Sequence, residues 1–124
     1  MIQQAETFEV HGVKIKGKLT QGENIADLGG LLLALRALKR QLTGDEGLVN
    51  GFTPVQRFFL AWAQCWRENC KEQRALQLVT LDPHGPNELR CNQPLSNMEE
   101  FCGAFGVVEG DGMFKSPTAR VDIW

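Results

Sequence analysis

The chain lacks most features that would indicate a metal-binding cluster, a membrane span or a nucleic-acid interface. It has two histidines, no tyrosine and no Cys-x-x-Cys pair, so zinc-finger spacing is absent. No apolar run approaches the roughly 18 residues that a membrane-spanning helix needs, and no signal peptide is visible at the N-terminus. The formal net charge of -2 gives no electrostatic reason to expect nucleic acid as a partner.

The composition is that of one globular domain. The 124 residues are 43% hydrophobic and 23% charged, which permits a buried core and is not typical of a disordered chain. The cysteines are expected to be free and mostly packed thiols, and the alternative is a disulfide among the last three in an oxidising compartment. They are Cys65, Cys70, Cys91 and Cys102.

The N-terminal part predicts a short β segment followed by a long helix. Apolar and polar residues alternate over residues 7–19 and the alternation slips at His11-Gly12, which predicts two short strands or one strand with a bulge. Thr20 and Glu23 have the spacing of a capping box, so a helix is predicted from about Gly22 to Leu42. Its apolar positions are numerous enough to predict that the helix is buried deeply or lies between two layers. These positions are Ile25, Leu28, Leu31, Leu32, Leu33, Leu35 and Leu38.

The segment after residue 50 predicts a second helix. Thr53 and Gln56 have capping-box spacing, Pro54 takes the first helical position, and helical periodicity continues to about Cys70. The aromatic residues of this helix are expected in the core. They are Phe58, Phe59, Trp62 and Trp66.

The remaining segments predict further helices, so the fold class is mainly α, with an irregular C-terminal tail. A helical stretch covers about residues 72–80, and two prolines and a glycine then make residues 82–86 irregular. Ser96 and Glu99 have the spacing of a third capping box, before a short helix that Gly106 ends.

Two acids, Glu23 and Asp27, share one face of the long helix. Carboxylates at positions i and i+4 repel each other, and such a pair is costly unless a cation or a histidine lies close by. The functional interpretation is a zinc-binding Glu23 with an Asp27 that orients a zinc-bound histidine. The alternative is that Glu23 only caps the helix after Thr20 and that Asp27 is an exposed acid near the helix start.

His84 and Arg90 lie in and just after the proline-flanked segment 82–86. Such a rigid segment can hold an imidazole in the fixed geometry that oxyanion stabilisation requires, and an arginine fork can bind a peptide carbonyl. The alternatives are a surface histidine and a surface salt bridge. The other histidine, His11, lies in the alternating segment and is expected to be structural or exposed.

Together these stretches resemble the neprilysin-type zinc metallopeptidases, a family that includes the endothelin-converting enzymes and bacterial oligopeptidases. The matching stretches follow the family's order over nearly the whole chain, which makes the resemblance very specific. They are residues 22–30 (GENIADLGG), 51–54 (GFTP), 58–64 (FFLAWAQ) and 82–86 (DPHGP) with Arg90, then Glu100-Phe101 with Ala104-Phe105, and the terminal Trp124.

The resemblance implies a role for each of four residues. Glu23 corresponds to the third zinc ligand, and Asp27 to an acid behind the metal that is often assigned as a proton donor. His84 corresponds to the histidine that stabilises the tetrahedral transition state, and Arg90 to the arginine that holds a backbone carbonyl of the substrate. The implied fold is a thermolysin-like metallopeptidase catalytic domain, with one zinc ion as cofactor and peptides as substrates.

The chain departs from the family in one respect. The family's HExxH helix, with two zinc-binding histidines and a general-base glutamate, has no counterpart in this sequence. We therefore expect residues 1–124 to be the C-terminal portion of the catalytic domain of a longer protein, with the HExxH helix upstream. The chain alone is expected neither to hold zinc nor to cleave peptides.

Further expectations follow from the resemblance. The helix from Gly22 should pack on the missing N-terminal part, and its exposed apolar surface should otherwise favour self-association. Val121 stands where vertebrate members have a cysteine, which indicates a bacterial-type member without the related disulfide. Family members are commonly periplasmic, secreted or membrane-anchored. The alternative of another functional class is a non-catalytic helical module, with the same fold, for binding or regulation.

Overall fold

A computed structural model describes residues 1–123 and shows a helical fold with one two-stranded sheet. The predicted mainly α class is confirmed, and Trp124 lies outside the described residues. No helix within residues 1–123 is both long and apolar enough to cross a membrane. In chain order the elements are α1 (Ile2–Glu6), β1 (Glu9–Val10), β2 (Val13–Lys14), α2 (Gly17–Gln41), α3 (Pro54–Cys65), α4 (Glu72–Leu81), α5 (Asn87–Ser96), α6 (Glu99–Phe105) and a 3-10 helix (Pro117–Ala119).

The two strands form an antiparallel hairpin in which Val10 pairs with Val13. The turn residues His11 and Gly12 both have positive φ, at 49° and 79°, and such a two-residue turn matches the twist of paired strands. The slip in the apolar alternation is therefore a turn between two short strands, which was one of the two alternatives. The short helix α1, which precedes the hairpin, was not predicted.

The long helix α2 begins at Gly17, so the predicted start near Gly22 is wrong. A Cβ on Gly17 would lie 2.6 Å from the carbonyl oxygen of Ile2, and glycine therefore allows the first turn of α2 to pack directly on α1. Thr20 is buried inside the helix, where its Oγ1 accepts a hydrogen bond from Asn24. Because Thr20 does not cap the helix, the capping-box explanation of Glu23 is also wrong.

One side of α2 packs into the main hydrophobic core, which it shares with α3, α5 and α6. Burial of apolar surface from these four helices drives their association. The expectation of deep burial is wrong for Ile25 and Leu33, which are exposed. The buried core cluster consists of Leu28, Leu31, Leu35, Phe59, Leu95, Met98, Phe101 and Cys102.

Helix α3 begins with the capping box that the sequence predicts. The hydroxyl of Thr53 accepts the N–H of Gln56 at 3.2 Å, and the Gln56 Oε1 accepts the N–H of Thr53 at 2.9 Å. The helix ends at Cys65, earlier than predicted. Its Phe59 is buried and meets Phe101 of α6 edge-on, with ring centroids 5.5 Å apart.

Helix α5 was not predicted, and it has one proline just before it and another inside it. Pro86 precedes the helix, and Pro94 lies in its last turn, where proline costs one backbone hydrogen bond. Ser96 is the last residue of α5 and its hydroxyl donates to the carbonyl of Gln93, so the predicted capping box at Ser96 is wrong. Helix α6 nevertheless follows and ends as predicted at Gly106, which has a φ of 66°.

The predicted helix at residues 72–80 and the irregular segment 82–86 are both confirmed. This segment packs closely on α5, because a Cβ on Gly85 would lie only 2.8 Å from Cδ2 of Leu89. Helix α5 in turn packs on α2. The fold thus brings the segment 82–86 to the N-terminal half of α2.

We expect Phe59→Ala to lower the free energy of unfolding by about 3 to 5 kcal/mol, because it removes a buried ring and leaves a cavity. Phe52→Ala is the matched control, since Phe52 is exposed, and it should cost less than about 1 kcal/mol. Urea unfolding followed by circular dichroism measures both values. If both variants lose the same free energy of unfolding, Phe59 does not lie in the buried core.

Candidate active site

Glu23 and Asp27 lie one helical turn apart on α2 but differ in exposure. The side chain of Glu23 is 40% exposed, whereas that of Asp27 is 9% exposed. Glu23 therefore reaches solvent while Asp27 lies behind it. An arginine and a histidine accompany these acids, because both Arg90 and His84 lie against them.

The segment 82–86 contributes His84, and the first turn of α5 contributes Arg90. The Nε2 atom of His84 lies 3.3 Å from Oε2 of Glu23, and Nη2 of Arg90 lies 3.9 Å from the same oxygen. Although 63 positions separate Asp27 from Arg90 in the sequence, their side chains are in direct contact. The structure thus brings together all four residues that the sequence singled out as a site, while their roles stay predictions.

Arg90 and Asp27 form a two-pronged ion pair that joins α5 to α2. The Nε and Nη2 atoms of Arg90 donate to the two carboxylate oxygens at 2.7 and 2.8 Å. These hydrogen bonds raise the pKa of Arg90 against the opposing effect of partial burial. The guanidinium also packs on Trp66, with Cζ 4.2 Å from the ring centroid. Arg90 is therefore not part of a surface salt bridge. Asp27 holds the edge of its guanidinium and Trp66 packs on the face.

Asp82 holds the ring of His84 from within the same segment. Its Oδ1 accepts the backbone N–H of His84 at 2.9 Å and lies 2.7 Å from Nδ1 of the ring. The backbone hydrogen bond, and then the ring contact, hold the pKa of Asp82 below its ordinary value. Because an ionised carboxylate only accepts hydrogen bonds, Nδ1 carries the proton and Nε2 faces Glu23. Asp82 was missed at the sequence level, although aspartate commonly binds the backbone two residues on.

An apolar cavity of about 510 Å³ opens beside His84 and Arg90. The expectation that Trp66 belongs to the core is wrong, because its half-buried ring forms part of the cavity wall. A cleft with apolar walls and a few charged groups is typical of a ligand site. Its apolar wall includes Ala63, Trp66, Leu78, Val79, Pro86 and Cys91.

The four cysteines are free thiols, and the expectation that most of them are packed is only partly correct. Cys102 is buried and Cys91 is half-buried, whereas Cys65 and Cys70 are exposed. Burial, with a smaller contribution from the charge of Glu88, raises the pKa of Cys91. Cys91 is thus a protonated, apolar part of the cavity wall at neutral pH.

Glu23 has the chemistry of a zinc ligand, but the described residues do not form a complete metal site. Its carboxylate is solvent-accessible and is not tied up by a helix cap. Within residues 1–123, no group of three or more His, Cys, Asp or Glu side chains is arranged to hold a metal ion. Structural and catalytic zinc sites use at least three protein ligands. Further ligands for a zinc ion at Glu23 would have to come from outside these residues.

We expect Asp27→Asn to lower the free energy of unfolding by about 3 kcal/mol at pH 7, because it leaves the charge of Arg90, whose side chain is only 16% exposed, without its carboxylate. Glu100→Gln is the control, because it breaks an ion pair with Lys39 that is exposed. That change should cost less than about 1 kcal/mol. If urea unfolding gives equal losses for both variants, the ion pair of Asp27 is not a buried one.

Asp82 should titrate below the ordinary aspartate pKa of about 3.9. Since its pKa is lower in the folded state, its contribution to stability is present above that value and lost as the pH falls through the folded pKa. Carbon-13 NMR of the carboxyl group measures this pKa. In His84→Ala the pKa should rise but stay below the ordinary value, because the backbone N–H, the larger cause, remains. An ordinary pKa in the unmodified chain would refute the hydrogen bonds assigned to Asp82.

Comparison with known proteins identifies relatives along the whole chain. Residues 1–121 match peptidase family M13. The neutral endopeptidase of Lactococcus lactis subsp. lactis (strain IL1403) is 38% identical over 124 residues, which are 100% of this chain and 18% of that protein. Neprilysin-1 of Caenorhabditis elegans is 40% identical over 133 residues, which cover 100% of this chain and 17% of that protein.

Solved structures of similar proteins share the fold. The inhibitor complex of the Mycobacterium tuberculosis zinc metalloprotease Zmp1 has a TM-score of 0.94 and 39% identity, over 99% of this chain and 20% of that one. PepO from Lactobacillus rhamnosis HN001 has a TM-score of 0.83 and 35% identity, over 100% of this chain and 18% of that one. These similarities confirm the predicted metallopeptidase fold.

The chain spans about a fifth of the length of the relatives it matches. The resemblance to neprilysin-type peptidases is confirmed, because neprilysins and endothelin-converting enzymes are among those relatives. Since the family match extends over residues 1–121 of 124, this chain belongs to peptidase family M13.

Proposed function

We propose that the protein is a zinc-dependent metalloendopeptidase and that residues 1–124 form the C-terminal portion of its catalytic domain. The observation that carries this proposal is the convergence of Glu23, Asp27, His84 and Arg90 beside an apolar cavity. Membership of peptidase family M13 supports the same activity. A binding module without catalysis would not need an accessible carboxylate in contact with an imidazole beside a buried ion pair.

Glu23 would supply one of three protein ligands to zinc, with two histidines contributed by an upstream HExxH helix. When bound at Glu23, zinc would supply Lewis-acid chemistry, namely polarisation of the scissile carbonyl and a lower pKa of a bound water. Asp27 lies one turn behind Glu23, with each oxygen bonded to Arg90. Each carboxylate oxygen has a second lone pair, so Asp27 can also accept the N–H of a zinc-binding histidine and fix its orientation.

His84 would stabilise the negative charge that develops on the substrate carbonyl oxygen. Asp82 engages Nδ1, so the ring presents Nε2 on the side of Glu23, where the carbonyl would lie. Since Nδ1 donates to Asp82, Nε2 donates to the oxyanion when the ring carries both protons. Preorganisation by Asp82 means that the ring need not reorient during the reaction.

Arg90 would align the peptide substrate. Two of its nitrogens, Nε and Nη2, are committed to Asp27. The third nitrogen, Nη1, takes no part in this pair and would donate to a backbone carbonyl of the substrate. The adjacent cavity of about 510 Å³ is large enough for a neighbouring side chain of the substrate. Its apolar wall suits an apolar side chain.

The upstream part of the protein is the proposed partner of the exposed face of α2. Ile25 and Leu33 lie on α2 with their side chains exposed. Covering them with the HExxH helix would bury apolar surface. Without that partner, the isolated chain would use the same face for self-association.

In the full-length protein, we expect Glu23→Ala to lose the bound zinc and to slow hydrolysis of a short fluorogenic peptide by at least about 100-fold, since even outer partners of a metal ligand contribute about 10- to 100-fold. Metal analysis and initial rates measure the two effects. Glu72→Ala is the matched control, because Glu72 also faces a histidine, His11, at 3.9 Å but is not one of the residues that line the cavity. It should change neither value.

Two outcomes would count against the proposal. Full zinc content and full activity in Glu23→Ala would exclude Glu23 as a ligand. Stoichiometric zinc and peptide hydrolysis by residues 1–124 alone, abolished by Glu23→Ala, would show that this chain is complete by itself.

A further inference from the structure

Asn24 follows Glu23 on α2 and is buried, and the proposed mechanism gives it no role. Its side chain is 1% exposed, and its Nδ2 donates to Oγ1 of the buried Thr20 at 3.1 Å. Its Oδ1 is buried without a hydrogen-bond partner within residues 1–123. An unpaired buried carbonyl oxygen costs about 1 to 3 kcal/mol, so packing alone would favour an apolar residue at this position.

The oxygen of Asn24 faces the backbone that carries His84. A Cβ on Gly85, the residue after His84, would lie 3.6 Å from Asn24 Oδ1. On its other side the same Cβ would lie 2.8 Å from Leu89 Cδ2. Gly85 is buried in the space between these two side chains. Among the three atoms nearest to that position, the oxygen of Asn24 is the one that belongs to α2, at an ordinary contact distance.

Two other interactions near the segment have different effects. Asp82 belongs to the segment and moves together with His84, so it orients the ring without fixing its distance from α2. The ion pair of Arg90 with Asp27 fixes α5, which begins after the segment. Thr20 holds the amide of Asn24 through Nδ2, which directs the oxygen towards Gly85.

We propose that Asn24 is a positioning residue, which holds the segment 82–86 against α2 so that Nε2 of His84 stays in contact with Oε2 of Glu23. The consequence of this positioning for catalysis rests on the proposed peptidase function. The geometry itself can be measured without any activity.

Nuclear Overhauser effects (NOEs) in this chain provide the test. The chain has only two histidines, so the ring protons of His84 can be assigned, with His11 as an internal reference. At one fixed pH, Asn24→Ala should reduce the NOE between the His84 ring and the Glu23 side chain at least threefold. The NOE between the His84 ring and Asp82 should be retained, because both residues belong to the segment. If Asn24→Ala leaves both NOEs unchanged, the proposal is wrong.

Gln93→Ala is the matched control, because Gln93 is also a buried amide whose oxygen has no hydrogen-bond partner within residues 1–123. It lies on α5 and donates to the backbone carbonyl of Met1, not towards Gly85. This change should lower stability without changing the NOE between His84 and Glu23. If it weakens this NOE as much as Asn24→Ala does, the effect is general loosening and the proposal is wrong.

Thr20→Val tests the proposal if Asn24→Ala does not fold. This change keeps the shape of Thr20 but removes the acceptor that holds the Asn24 amide. It should weaken the NOE between His84 and Glu23 about twofold, and an unchanged NOE would overturn the proposal. In the full-length protein, Asn24→Ala should lower kcat with little change in KM. Absence of peptidase activity in the unmodified protein would refute the proposed function and leave the NOE result standing.

Discussion

The ion pair between Arg90 and Asp27 is the interaction on which the geometry of the candidate site depends. It connects α5 to α2 through two hydrogen bonds, and Trp66 covers the face of the guanidinium. Because Asp27 is mostly buried, separating the two charges would leave a carboxylate uncompensated in a poorly solvated position. The segment that carries His84 leads directly into α5, so this ion pair places the segment beside α2, where the proposed contact of Asn24 would hold His84 against Glu23.

Three carboxylates of the site differ in what surrounds them, and this difference separates their roles. Asp27 is buried and paired with Arg90, so it serves as a structural anchor. Asp82 accepts hydrogen bonds from the backbone and ring of His84 and thus orients the imidazole. Glu23 is accessible, with an imidazole nitrogen at 3.3 Å. Among these three it is the carboxylate best placed to bind an ion or a ligand.

Local sequence patterns were reliable where the partners of a residue lie within one turn of it. The capping box of Thr53 and Gln56 and the helix end at Gly106 formed as predicted, because neighbouring atoms satisfy them. Thr20 and Ser96 have equally good spacing, yet both lie within helices. Helix α2 begins before Thr20, at Gly17, where α1 packs on it. A local sequence pattern carries no information about such packing.

The sequence by itself determined the family, the mainly α class and the four residues of the candidate site, because order and spacing of motifs are properties of the chain. Only the tertiary structure decided that Arg90 pairs with Asp27, that Trp66 lies on Arg90 and that Asn24 meets Gly85. The physical reason is that these contacts join α2, α3 and α5, which are far apart in the chain. Their energies depend on distances and burial that exist only after the helices have packed.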